Sequence, residues 1–71
     1  MKWSAIAAVT GSTAVVSNGE GQTGIVAVRW TRNQPQLFGP VYSNRYDNSG
    51  NQVVDNEGLP ITDVIDNNPE L

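Results

Sequence analysis

Apolar and polar residues alternate along most of this chain with the two-residue period of a strand. Trp3, Ala5, Ala7 and Val9 alternate with Lys2, Ser4, Ile6, Ala8 and Thr10, which predicts a first strand ended by Gly11-Ser12. The alanines keep a short helix open, with Trp3, Ile6, Ala7 and Thr10 on one face, but so short a helix is marginal alone. Ala14 to Ser17 predicts a second strand, and Asn18 to Gly24 a glycine-rich hairpin loop. Ile25 to Thr31 carries the clearest pattern, with Val26, Val28 and Trp30 on one face and Ile25, Ala27, Arg29 and Thr31 on the other. Arg32 to Pro40 reads as a loop because Pro35, Gly39 and Pro40 interrupt it. Val41 to Tyr46 predicts a fourth strand, Gln52 to Asp55 a fifth and Ile61 to Ile65 a sixth. Asp47 to Asn51 and Asn56 to Pro60 are the turns between them.

Composition supports this reading. Nine Val and four Ile stand against three Leu, and eight Asn, seven Gly and four Pro supply turns. β-branched side chains pack well on a pleated surface and lose rotamer freedom in a helix. The expected fold is all-β: a small antiparallel barrel or sandwich of about six short strands, with extended N- and C-terminal arms. Residues 1–65 read as one β-rich domain and residues 66–71 as an extended acidic tail. No internal repeat or linker is evident along the chain.

A chain of 71 residues makes one domain with a small core. Small domains are commonly reinforced by disulfides, a metal or a partner. With no Cys and no His, disulfides and the usual zinc ligands are absent, which leaves association with other chains. No apolar stretch approaches the roughly 20 residues of a membrane-spanning helix, so no membrane partner is expected. The run Trp3–Val9 is broken by Ser4 and followed by Thr10-Gly11-Ser12, so secretion is not expected either.

The charges are sorted. Residues 1–45 hold all four bases (Lys2, Arg29, Arg32, Arg45) and Glu20, a net +3; residues 46–71 hold six acids and no base, a net −6, giving −3 in all. Head and tail can therefore attract one another, within one molecule or between two.

Candidate chemistry is sparse. Without His or Cys, the commonest general base and the most reactive nucleophile are missing. Asp55 and Glu57 could form a carboxylate pair, but both fit a solvated turn, and the chain is not expected to be an enzyme or to hold a cofactor. Asp47-Asn48-Ser49-Gly50-Asn51 offers oxygen ligands, but its spacing suits a hairpin turn better than a calcium loop, so no metal is expected. Arg29, Arg32 and Arg45 with Trp30, Tyr42 and Tyr46 could build a basic, aromatic face on an SH3-like or OB-like nucleic-acid or protein-binding module. Four bases in an acidic chain argue against nucleic acid. An acidic inhibitor of a basic site is a third reading.

The residues expected at a protein interface are Trp3, Arg29, Trp30, Arg32, Tyr42, Arg45, Tyr46, Asp63, Asp66, Glu70 and Leu71. Aromatic and Arg side chains are the usual anchors of such contacts. Asp63, Asp66 and Glu70 flank Ile61, Val64, Ile65 and Leu71 in an arm expected to lie against Arg29, Arg32 and Arg45 of the same or another copy. The run Ser17-Asn18-Gly19-Glu20-Gly21-Gln22-Thr23-Gly24-Ile25-Val26-Ala27-Val28 resembles the glycine-rich turn and apolar strand of some β-barrel decoration proteins. In its Asn/Gly/Val/Thr-rich, Cys-free composition the chain resembles the small decoration or cement proteins of tailed bacteriophage virions. That resemblance implies a virion structural subunit whose partners are copies of itself or a larger capsid-type protein.

Overall fold

The computed structural model describes residues 2–71. Five strands, β1 (Ser4–Ala5), β2 (Thr13–Ser17), β3 (Thr23–Thr31), β4 (Gln34–Asn44) and β5 (Thr62–Asp66), form one antiparallel sheet. They lie side by side in chain order, and no helix occurs among the described residues. The sheet stays open: β1 and β5 are its two edges, so the expected barrel or sandwich gives way to a single meander. Overall extents of 40 × 28 × 21 Å suit one sheet with a thin covering layer.

β2 and β3 follow the alternation closely. Ala14 pairs with Val26 and Val16 with Gly24, and these four are buried on one face. In the loop between them, Asn18 Oδ1 accepts hydrogen bonds from the backbone N–H of Glu20 (2.8 Å) and Gln22 (3.3 Å). The expected first strand shrinks to Ser4–Ala5, because residues 6–12 leave the sheet after Ile6 N–H donates to Val15 O at 3.1 Å.

The segment 32–40 corrects the sequence expectation. Only Arg32 and Asn33 form the turn, both left-handed (φ 50° and 62°), as a two-residue hairpin favours. β4 then runs eleven residues through Pro35, Gly39 and Pro40. Its breakers are absorbed by an irregularity: Phe38 faces Ala27 and Tyr42 faces Ile25, so Gly39, Pro40 and Val41 lie against Val26 alone. The Gly39–Pro40 bond is cis.

Residues 45–61 do not form the expected fifth strand. They form two short hairpin arms, bridged at Tyr46–Gln52 and Val54–Pro60. Where the arms meet the β4–β5 ladder, three backbone bonds close a ring. Arg45 N–H donates to Ile61 O (2.9 Å), Ile61 N–H to Val53 O (3.0 Å) and Val53 N–H to Arg45 O (2.8 Å). The three residues are eight apart, and so are the Asp-Asn-X-Gly turns at Asp47–Gly50 and Asp55–Gly58. An eight-residue repeat is therefore present where the sequence reading saw none. In each turn the Asp Oδ1 accepts two backbone N–H groups, from Ser49 and Asn51 (both 2.9 Å) or from Glu57 (2.8 Å) and Leu59 (3.0 Å). Gly50 and Gly58 close the turns at φ 84° and 80°, a conformation that costs glycine nothing.

The core lies on the inner face of the sheet. Trp3, Ala14, Val16, Val26, Val28 and Val41 are buried, with Val9 and Leu37 packed against them. Trp3 is the largest fully buried side chain, at 1% exposure. Its indole N–H donates to Asp66 Oδ2 at 2.8 Å, because a buried indole requires a hydrogen-bond partner. The C-terminal residues return over the same face. Trp3 N–H donates to Glu70 O (2.9 Å), Lys2 and Glu70 form a parallel bridge, and Pro69 lies against Gly39. The segment expected as a free acidic arm is thus tied to the N-terminal segment of its own chain.

Candidate association surface

The outer face of the sheet carries a row of apolar side chains across its full width. Register places Val15 opposite Ile25, Ile25 opposite Tyr42, and Tyr42 opposite Val64. Ile6, hydrogen-bonded to Val15, extends the row beyond β1. Four of the five are well exposed: Ile6 59%, Val15 53%, Tyr42 37% and Val64 50%. A second outer pair, Ala27 and Phe38, lies two residues further along β3. Tyr46, from the first arm, borders a shallow groove of about 210 Å³ on this face, with Val15, Ile25 and Tyr42 in its lining.

In its three central strands the row exists because each residue occupies the alternate position to buried neighbours. Ala14, Val16, Gly24, Val26 and Val41 point inward, so Val15, Ile25 and Tyr42 point outward. An exposed strand face would ordinarily be polar. Here the row contains no charged residue at all.

Charge is instead placed at the two ends of the strands. The β3–β4 hairpin end carries Arg29 and Arg32, neither ion-paired among the described residues. The opposite end carries Glu20 in the β2–β3 loop and Asp47, Asp55 and Glu57 on the arms. Arg45, also at that end, is neutralised by Asp63 through two contacts, Nε to Oδ2 at 3.1 Å and Nη2 to Oδ1 at 2.6 Å. This pairing raises the Arg45 pKa and holds the Asp63 carboxyl below its ordinary value. Asp66 is also held low, first by the Trp3 indole and then by the Asn68 backbone N–H at 3.1 Å.

The residues expected at an interface divide accordingly. Tyr42 lies in the outer row, Tyr46 at its groove and Arg29 further along β3 from Ile25. Arg32 sits in the hairpin turn. Trp30 is 45% exposed, but its indole N–H donates to Gly11 O at 2.9 Å and so holds the β1–β2 connection. Trp3 is a correction: it belongs to the chain's own core and cannot serve as a surface anchor. Asp63, Asp66 and Glu70 all make contacts within the chain, to Arg45, to Trp3 and to the Lys2–Trp3 segment. Leu71 remains partly exposed beside them.

The three arginines do not form one basic patch, because Arg45 lies roughly 40 Å of strand away from Arg32, at the far end of β4. The carboxylates of Asp47 and Asp55 are occupied by their own turns. No group of three or more His, Cys, Asp or Glu is placed to hold a metal among the described residues. The interface expected from the sequence omitted Ile6, Val15 and Ile25 and placed Val64 only in the C-terminal arm. Their alternation was visible, but which of two apolar faces stays uncovered depends on where Trp3 and the C-terminal segment lie. Comparison with protein-family models, curated proteins and solved structures found no match to the chain.

Proposed function

We propose that this chain is a non-catalytic structural subunit of a symmetric assembly, of the kind found in virion coats, and that it works by packing its sheet against neighbouring subunits. The observation that carries this reading is the apolar outer face. Ile6, Val15, Phe38, Tyr42 and Val64 are exposed on it, and Tyr46 borders it. Scattered exposed apolar residues need no explanation, but a row in register across a sheet marks a surface built for contact. Two shallow surface grooves are lined mainly by apolar and hydroxyl side chains, one of them on this face. Many identical weak contacts suffice in an assembly, because their energies combine once the subunits share a lattice.

Sedimentation velocity of the purified chain over a wide concentration range tests this. A mass above that of one chain, rising with concentration, supports the reading. A single monomeric species at every concentration overturns it.

A further inference from the structure

Resting on that reading, we infer that the outer face is a two-fold self-association surface, on which a second copy of this chain packs with its strands antiparallel to the first. Three observations lead there. The row Val15–Ile25–Tyr42–Val64 is apolar and uncharged, so a two-fold axis lying along it brings each apolar side chain onto its own counterpart with no charge buried. Two sheets pack face to face about 10 Å apart with strand directions within about 30° of aligned, so a flat four-strand patch accepts another of the same kind. The third observation selects the direction. Arg29 lies four residues after Ile25 on β3, and Glu20 lies five residues before it in the β2–β3 loop. These spacings are similar, and the charges are opposite.

A two-fold axis along the row therefore carries Arg29 of one copy to the Glu20 end of the other, twice per dimer. The parallel arrangement would set Arg29 against Arg29, and the arm acids against each other. Like charges face to face reject that arrangement, so the same groups that favour one orientation exclude the other. The partner is thus specified by the chain itself: its own outer face supplies the apolar area, and its own charge separation supplies the direction.

The chain lacks cysteine, so single introduced cysteines report proximity cleanly. Ile25→Cys is expected to give a covalent dimer with a thiol-specific bis-maleimide of about 10 Å span, since facing Cα atoms about 10 Å apart lie beyond disulfide reach, while Ser49→Cys, at an arm tip, stays unlinked. Val64→Lys is expected to weaken self-association at least about tenfold, since it buries an unpaired charge. Intrinsic Trp fluorescence, reporting burial of Trp3, shows whether that variant remains folded. Arg29→Glu is expected to weaken association about tenfold, because two equivalent contacts are lost and each exposed pair is worth up to about fivefold. Adding Glu20→Arg to Arg29→Glu restores the contacts with reversed sign and is expected to recover the original affinity. Self-association that persists unchanged in folded Val64→Lys, with no cross-link at position 25, overturns this surface while leaving the structural-subunit reading standing. Failure of the double charge swap to recover affinity overturns the antiparallel orientation.

Discussion

The indole nitrogen of Trp3 and the carboxylate of Asp66 meet at 2.8 Å across 63 positions of sequence, and this contact joins the two ends of the fold. Trp3 fills the core from the N-terminal side, while Asp66 ends β5 at the opposite edge of the sheet. Trp3→Ala is expected to cost about 3–5 kcal/mol, as for other buried aromatic truncations. That matches the few kcal/mol a core of this size supplies, so the variant should be largely unfolded by far-UV circular dichroism. Trp3→Phe keeps most of the packing and removes the indole donor. It should lower stability by about 1–2 kcal/mol in urea titration.

The same contact makes the protein sensitive to acid. Asp66 has a folded-state pKa below its ordinary 3.8, through the Trp3 indole and the Asn68 backbone. Its charged form is therefore favoured by folding. The resulting stability is present above pH 3.8 and is lost as pH falls through the lower folded value. Asp63 acts in the same direction through Arg45. The Trp3 indole and the Asn68 N–H reach different oxygens of Asp66, so Asp66→Asn keeps only one of the two acceptors, much as protonated Asp66 would, and carries no charge to lose. The melting temperature of Asp66→Asn should thus lie below wild type near neutrality and converge towards it in acid, in a thermal scan series across pH.

Gly24 lies where a side chain cannot. A Cβ there would run into the Val41 side chain and come within 3.0 Å of Tyr42 O. Val41 is fully buried and has no free direction to move. Gly24→Ala is expected to destabilise the fold by about 1–3 kcal/mol, as other overpacked cores do, measured by chemical unfolding.

The two arms should respond locally and independently. Asp55→Ala removes the acceptor of the Glu57 and Leu59 N–H groups, and Asp47→Ala that of Ser49 and Asn51. Each should cost about 1 kcal/mol or less, because the freed groups reach water. Hydrogen exchange should quicken at the amides of the altered arm and stay unchanged at Val16 and Val26. The effects of the double variant should be additive, since the turns share no partner.

The strands that were legible in the sequence are those whose order depends on alternation alone. β2 and β3 alternate cleanly between hairpin signals, and the structure keeps both. β4 was obscured because Pro35, Gly39 and Pro40 are ordinarily breakers, and only the facing strand shows that the irregularity can hold them. The arms were misread for a different reason. Gln52–Asp55 has strand chemistry, but its pairing depends on a ring of backbone bonds that involves no side-chain type. Trp3 was expected outside because aromatic residues are common at interfaces, and its burial follows from the return of residues 67–71 over the inner face. The outer row was half visible: Tyr42 was expected at an interface and Val64 in the arm, while Val15 and Ile25 read as ordinary strand apolars until their register aligned them.

The ring at Arg45, Val53 and Ile61 is built wholly from main-chain atoms. Such a junction asks only for a backbone N–H at each position, which any residue but proline supplies, and each arm beyond it satisfies its own turn. The arms can therefore change sequence or length without disturbing the core, since lengthening an exposed loop costs little entropy. The two arm tips thus offer an engineer sites for inserting foreign peptides at a distance from the core.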